Sequence, residues 1–371
     1  MTSSKHKNWK ELLCDQLENG CPLEQRVTLD GSLTNGYPRY IYSSGVISID
    51  NPFERNPELE FLLDVYFDTA LLSTIKKLKK YDNIVSLQVI GHYEHHKLVY
   101  FDEWMRYLAQ IPRIRYYEIT LQSYPAPIQI PVGFPHLELL IIEAHLHELP
   151  LGIERCKKLL YCNLRSVDFD QLGSDGFDRL KPCQQLRYLE IRFAKLQVFP
   201  EALTELSALE ELNLEHNEIE SLPSSIGNMS ALKDLNLSAN DLKEIPQELG
   251  NIKNLQILDL CVNSILKLPE SMMKLQQLEV LELYLNELSQ LPEWICELSR
   301  LKKLSLYQNK IADIPWDVSK LKQLTDLEEL DLVGNPLNED CKRRLREVFP
   351  LDGPVRVTLD ETDYAYYRNK A

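Results

Sequence analysis

Apolar residues recur in a fixed register along most of the chain. The block LEELNLEHNEIESLPSSIGNMSA begins at Leu209, and its leucine, asparagine and proline positions restart every 23 residues at Leu232, Leu255, Leu278 and Leu301. The leucines of each LxxLxL segment alternate with other residues at period two, which predicts one short parallel strand per block. A single block buries too little apolar surface to fold alone, so the blocks must stack.

Weaker copies of the pattern extend the array in both directions. Upstream, apolar residues at positions one, four and six define copies that begin at Ile84, Ile114, Leu137, Leu159 and Leu186. Downstream, Leu327 opens the copy LEELDLVGNPL. The sequence therefore predicts about eleven repeats within residues 84–350.

The consensus LxxLxLxxNxLxxLPxxIxxL resembles the leucine-rich repeat family, nearest its intracellular 23-residue type of bacterial and Ras-group-related plant and animal proteins. The resemblance implies an α/β leucine-rich repeat solenoid with a curved parallel β-sheet on the concave face and helical or irregular convex returns. It also implies a protein or peptide ligand.

An asparagine follows each predicted strand at a constant position. Its amide group both donates and accepts hydrogen bonds, so it can satisfy backbone groups where the chain turns away from the strand. We expect a structural ladder of Asn217, Asn240, Asn263, Asn286, Asn309 and Asn335.

The open ends of such a stack need covers, because a terminal repeat exposes apolar side chains and an unpaired strand edge. Asn56 and Pro57 stand at the N-cap and N1 positions of a helix start, and residues 57–83 carry apolar residues at helical spacing, so they are predicted to form an N-terminal capping helix. Residues 1–56 form an extension to which the sequence assigns no role.

The closing segment NPLNEDCKRRLREVFP predicts an amphipathic helix whose inner face carries Cys341, Leu345 and Val348. The remaining residues, 351–371, are assigned to a C-terminal cap or tail.

The net charge of −15, from 41 basic and 56 acidic residues, argues against nucleic acid and membrane surfaces as partners. The start of the chain lacks the apolar core of an export signal, and no run is apolar enough for a spanning helix. The eight cysteines are scattered without CxxC pairs. We therefore expect a cytoplasmic protein with reduced thiols.

The outward strand positions three, five, seven and eight face the predicted concave surface. Position five carries five acidic and no basic residues across the eleven repeats, and aromatic residues lie beside it. Carboxylates beside aromatic anchors favour a protein or peptide partner with a basic segment. The predicted contact residues are Tyr188, Glu190, Phe193, Ile257, Asp259, Val262, Val280, Glu282, Tyr284, Leu285 and Tyr307.

A histidine cluster offers a competing hypothesis, a metal site. It consists of His92, His95 and His96, with His145 and His147 two repeats later. However, His92 and His145 fall at the ladder-asparagine position, which favours substitution within a degenerate repeat over zinc binding. No catalytic or phosphate-binding motif has a supporting context. We expect no cofactor, no metal and no enzymatic activity.

Two further alternatives concern the use of the scaffold. The protein could be a self-associating structural scaffold, although a monomer is favoured, or an exported bacterial effector that acts through protein contacts.

Overall fold

The computed structural model describes residues 61–66, 84–92, 114–122, 132, 134–144, 146–165, 168–169 and 174–370. These residues divide into two compact units. The N-terminal unit contains the described residues before 173 together with Arg179–Leu189. The C-terminal unit contains the described residues within 173–178 and within Glu190–Ala371. The predicted extension 1–56 lies outside the described residues.

Five strands lie in the N-terminal unit, and each pairs in parallel with the next along the chain. They are β1 (Phe61–Tyr66), β2 (Ile84–His92), β3 (Tyr116–Gln122), β4 (Leu139–Glu143) and β5 (Tyr161–Arg165). The next strand, β6 (Tyr188–Arg192), begins in the N-terminal unit and ends in the C-terminal unit.

The strand β1 corrects part of the predicted N-terminal capping helix. Phe61–Tyr66, FLLDVY, pairs in parallel with β2 instead of forming helical turns. Its run of aromatic, aliphatic and β-branched residues fits a short buried strand as well as a helix, and hydrophobic spacing alone does not separate the two. The rest of that prediction, residues 57–60 and 67–83, lies outside the described part of the chain.

Seven strands lie in the C-terminal unit, and each again pairs in parallel with its successor. They are β7 (Glu211–Asn213), β8 (Asp234–Asn236), β9 (Ile257–Asp259), β10 (Val280–Glu282), β11 (Lys303–Ser305), β12 (Glu329–Asp331) and β13 (Arg356–Thr358). Each of the eleven predicted repeats contributes one strand, and the predicted fold class, a leucine-rich repeat solenoid, is confirmed.

Short 3-10 helices occupy the returns between strands. They are Ile153–Arg155, Ser174–Leu180, Glu201–Glu205, Ser224–Asn228, Gln247–Asn251, Glu270–Lys274, Glu293–Glu297 and Val318–Gln323. In five of the regular repeats a proline with extended backbone stands at the N-cap, where its missing N–H group costs nothing. A Cβ atom at Gly250 would lie 2.1 Å from the carbonyl oxygen of Ser271 in the next return. Glycine therefore permits the close spacing of these returns.

The leucines of the LxxLxL segments form the core. Leu255, Leu258 and Leu260 have no exposed surface, and the corresponding residues of the neighbouring repeats are buried as well. Each fully buried leucine side chain stabilises the fold by about 1.5–3 kcal/mol. The six described cysteines are buried free thiols: Cys156, Cys162 and Cys183 in the N-terminal unit, and Cys261, Cys296 and Cys341 in the C-terminal unit.

The asparagine ladder joins each repeat to the one before it. The side-chain Nδ2 of Asn286 donates to the carbonyl oxygens of Leu260 and Leu283, at 2.9 and 3.1 Å, and its Oδ1 accepts from the N–H of Ile265 at 3.0 Å. Equivalent bonds are made by Asn217, Asn240, Asn263, Asn309 and Asn335. The amides thus satisfy buried backbone groups of two repeats at once.

The C-terminal end is closed by two α-helices, α1 (Glu339–Val348) and α2 (Glu361–Lys370), on either side of β13. Cys341 and Leu345 of α1 are buried as predicted, but Val348 is only half-buried and Phe349 takes the interior position. Within the described residues, no helix is long and apolar enough to cross a membrane.

Two aspartates hold this closing segment. Asp331 of β12 accepts hydrogen bonds from the hydroxyls of Thr358 and Tyr364, at 2.6 and 2.5 Å. Asp363 of α2 is buried, accepts from the N–H of Leu359 at 2.7 Å and pairs with the guanidinium of Arg346. The segment after α1 is therefore an integral cap of the C-terminal unit.

Candidate functional site

The outward positions of β7–β13 and of the residues that follow each strand form one surface of the C-terminal unit, which we call the strand face. An apolar patch lies on it, composed of Ile257, Val262, Val280, Tyr284, Leu285 and Tyr307. Ile257 stands directly opposite Val280 in the register of β9 and β10. Ile257, Val262 and Leu285 are 38%, 41% and 41% exposed, more than a folded interior would leave. Adjacent exposed apolar residues of this kind mark interaction surfaces.

Tyr284 and Tyr307 anchor this patch at position seven of neighbouring repeats. Both residues are half-buried, so part of each side chain is accessible on the strand face. Burial, followed by the neighbouring Cys261 and Asp259, raises the pKa of Tyr284 to about 12. The ring therefore stays a neutral phenol at physiological pH.

The position-five carboxylates are used less uniformly than the sequence predicts. Glu190 is buried, at 3% exposure, which corrects its assignment to the exposed binding surface. Glu282 forms an ion pair with Lys303 of the next strand, 2.5 Å away. Asp331 is occupied by its bonds to the C-terminal cap. The side chain of Glu118 lies outside the described residues. Among the described position-five acids, Asp259 is thus the one that is neither buried, ion-paired nor bonded to the C-terminal cap.

Two acidic residues that the sequence analysis missed stand near Asp259. Glu211 and Asp234 occupy position three of their repeats, at the starts of β7 and β8, and are register partners. Asn236 of β8 is the register partner of Asp259. We call Glu211, Asp234 and Asp259 the carboxylate row. None of the three forms an ion pair with a described residue. A survey of position three as well as position five would have found them.

The carboxylate row is electrostatically strained. Burial, with the charges of Asp234 and Glu210, raises the pKa of Glu211 to about 7 against the opposing effect of Lys233. Burial and the charge of Asp259 raise the pKa of Asp234 to about 6. A cationic group placed against this row would relieve the repulsion.

This strain predicts a pH-dependent stability effect. The folded state holds these protons more tightly than the unfolded chain, so their contribution to stability falls as the pH rises from about 4 to about 7. Asp234→Asn and Glu211→Gln are expected to raise the free energy of unfolding above that of the unsubstituted protein at about pH 8, with the gain shrinking toward about pH 4. Urea denaturation at both pH values measures this. Glu220→Gln, on an exposed return, is the control, and a gain in the row variants that does not change with pH would contradict the assignment.

Aromatic residues near β5 and β6 are largely engaged within the protein. In the N-terminal unit, the ring of Tyr188 stacks on that of Tyr161 with centroids 4.2 Å apart, and the Nδ2 of Asn163 donates to the hydroxyl of Tyr161. In the C-terminal unit, Phe193 is 52% exposed and stacks on His216 with centroids 4.5 Å apart. Contact of Tyr188 and Phe193 with a partner protein stays a prediction. Each ring already stacks on another ring of this chain.

A groove on the return side is the competing location for a ligand. It encloses about 670 Å³ between the 3-10 helices Gln247–Asn251 and Glu270–Lys274. Its lining alternates charged residues such as Glu244 and Lys267 with aliphatic ones such as Leu268. It lacks exposed aromatic residues, so it presents fewer anchors than the strand face.

The histidines proposed as metal ligands fall mostly outside the described residues. His95, His96 and His145 lie there entirely, and the side chain of His92 is not described. In the described part of the chain, no group of three or more His, Cys, Asp or Glu side chains is arranged to hold a metal ion.

Two family models match the sequence. One, described as "Leucine rich repeat", covers residues 184–242, and the other, "Leucine-rich repeat region", covers residues 225–350. No curated protein matches the chain significantly.

Solved structures of similar fold come from bacteria and plants. A leucine-rich repeat protein of Leptospira interrogans has 19% identity and a TM-score of 0.51, over 94% of this chain and 98% of that chain. The plant peptide hormone receptor RGFR1, in complex with RGF2, has 22% identity and a TM-score of 0.55, over 75% of this chain and 43% of that chain. An internalin, InlF, of Listeria monocytogenes has 18% identity and a TM-score of 0.51, over 73% and 80%. The matched region spans less than half of the plant receptor chain, and these similarities establish the fold.

Proposed function

Because the chain is a leucine-rich repeat protein, we propose that it acts as a non-enzymatic interaction module that binds a protein or peptide on the strand face of its C-terminal unit. The observation that carries the proposal is the apolar patch beside the carboxylate row. The fold by itself does not explain why Ile257, Val262 and Leu285 are exposed side by side.

Charge and surface chemistry support a basic segment in the partner. A Lys or Arg side chain can lay its apolar stem over Tyr284 while its charged end approaches Asp259 of the preceding repeat. The pairing of Glu282 with Lys303 shows that the strand face already accepts a cation next to a position-five carboxylate. Peptide binding by a receptor of the same fold, RGFR1 with RGF2, is consistent with this use of the scaffold.

The free thiols support a reducing compartment. The six described cysteines are buried and unpaired with one another, and burial raises the pKa of Cys156 to about 12 and that of Cys183 to about 11. Such thiols are typical of cytosolic proteins, so we place the protein in the cytoplasm and its role in intracellular signalling or scaffolding.

The double substitution Tyr284→Ala and Tyr307→Ala is expected to weaken capture of the native partner by at least about tenfold, because aromatic anchors in an interface contribute about 2 kcal/mol or more each. The measurement is quantitative affinity capture from native extract with the full chain as bait. The partner is identified beforehand as the protein that the unsubstituted chain retains and that a matrix without bait does not.

Two return-side substitutions, Glu248→Ala and Lys274→Ala, serve as controls and should leave capture within about twofold. Lys274 lines the return-side groove, so a loss of capture there with normal capture by the tyrosine variant would move the binding site to that groove. Light scattering of the purified chain tests the self-association alternative. A stable dimer that the tyrosine substitutions dissociate would replace the partner proposal.

A further inference from the structure

In seven successive repeats one backbone position adopts the left-handed conformation, although only one of the seven residues there is glycine. Position eight, among the residues that follow each strand, has φ between +51° and +55° in six successive repeats and +78° at Gly334 in the seventh. We call these residues the left-handed row: Phe193, His216, Ala239, Val262, Leu285, Gln308 and Gly334. Side chains other than glycine, asparagine and aspartate crowd the following carbonyl oxygen in this conformation.

Val262 and Leu285 are the least suitable residues for such a position. Val262 is β-branched, a type for which positive φ is a true outlier, and Leu285 carries a bulky aliphatic side chain. Both are 41% exposed, so packing against the core accounts for only part of their surface. The fold thus carries backbone strain at two residues that remain substantially exposed.

The stack of repeats, and not the side chain, imposes this conformation. The N–H of Val262 donates to the carbonyl oxygen of Tyr284 at 2.9 Å, and that of Leu285 donates to the carbonyl oxygen of Tyr307 at 2.9 Å. The same bond holds Gln308 to Val333 at 2.8 Å. Because these are backbone bonds, a residue that tolerates positive φ would keep them and relieve the strain.

We propose that Val262 and Leu285 are specificity-determining contacts, which receive an aliphatic or aromatic side chain of a peptide segment whose neighbouring Lys or Arg approaches Asp259. This inference rests on the proposed function, because it concerns the same strand face. Strained residues with exposed side chains are typical of binding sites, where the surrounding structure holds them in place.

The carboxylate row fixes the charge of the occupant. Val262 and Asp259 belong to the same repeat, and Asp234 and Glu211 extend the negative charge to the two repeats before it. On the other side of the patch, Glu282 is neutralised by Lys303. The apolar residue of the partner therefore packs against the repeats that contain β9 and β10. The basic residue of the partner lies on the side facing β8.

The test uses peptides selected from a random display library on the immobilised full chain. We expect the selected peptides to be enriched in Lys or Arg next to Leu, Ile, Val or Phe. A synthetic fluorescent copy of one such peptide then serves as the probe for three variants, Val262→Asn, Leu285→Asn and Gln308→Asn. Asparagine tolerates positive φ and removes the apolar surface. Gln308→Asn is the matched control. It relieves the backbone strain at position eight of the neighbouring repeat, at the border of the patch, and leaves the apolar residues in place.

Val262→Asn and Leu285→Asn are each expected to weaken peptide binding by about fivefold or more and to raise the urea midpoint of unfolding, whereas Gln308→Asn leaves affinity within about twofold.

Normal affinity in both aliphatic variants, with affinity lost in the Tyr284 and Tyr307 double variant, would overturn this inference and keep the proposed function. A lowered urea midpoint in the aliphatic variants would show that these side chains serve the fold and would overturn it too. Selected peptides without basic residues would refute the stated occupant. If the selected peptides bind the Tyr284 and Tyr307 double variant with normal affinity, that result would count against the proposed function itself.

Discussion

Asn286→Ala is expected to lower the free energy of unfolding by about 3 kcal/mol, because it leaves several buried backbone groups without partners. The amide of Asn286 is 4% exposed and satisfies the N–H of Ile265 and the carbonyl oxygens of Leu260 and Leu283. The methyl group of alanine replaces none of these bonds. Urea denaturation followed by circular dichroism resolves a difference of this size.

Asn254→Ala is the matched control for the ladder. Asn254 also donates to a carbonyl oxygen of another repeat, that of Ser230 at 2.8 Å, but at an exposed site where water can replace the amide. The expected loss is within about 0.5 kcal/mol. If both asparagine substitutions cost the same small amount, the ladder does not stabilise the stack.

Asp363→Ala is expected to lower the free energy of unfolding of the C-terminal cap by about 3 kcal/mol or more. The substitution leaves the guanidinium of Arg346 without its partner and the buried N–H of Leu359 without an acceptor. Hydrogen exchange should show faster exchange in β13 and α2 while β7–β10 keep their protection, because a repeat stack opens from its ends.

Glu347→Ala is the control for the cap. Glu347 pairs with Arg343 at 2.6 Å on the exposed face of α1, where water screens the charges. A change within about 0.5 kcal/mol is expected. Unchanged exchange in β13 after Asp363→Ala would mean that the cap is held by its apolar contacts alone.

The strands could be predicted from the sequence because a single periodic signal fixes them. Leucines at positions one, four and six are buried in every regular repeat, and the register of β7–β12 follows directly. The segments at the two ends of the repeat array do not carry this periodic leucine pattern. FLLDVY was compatible with a helix or a strand, and β13 pairs only through a fold-back after α1, which depends on contacts such as Asp331 with Tyr364, 33 residues apart.

The candidate site could be predicted in outline but not in its charges. The sequence places Ile257, Val262 and Leu285 on the outward side, and the structure exposes them. Which carboxylates stay available depends on lateral neighbours. Lys303 neutralises Glu282 across a strand pair, and burial removes Glu190 from the surface. Backbone strain at position eight has no counterpart in hydrophobic spacing, so only coordinates show it.

The ladder of asparagine amides has a consequence for how the protein can change over generations. Every one of its hydrogen bonds stays within a repeat or reaches the repeat before, at a constant offset in the regular array. A gene duplication that copies residues 255–277 would therefore insert a complete unit without breaking any existing bond type, and a deletion of the same length would rejoin its neighbours in register. The extent of the contact surface and the sequence of its side chains can vary by whole units, while the rules of assembly stay the same.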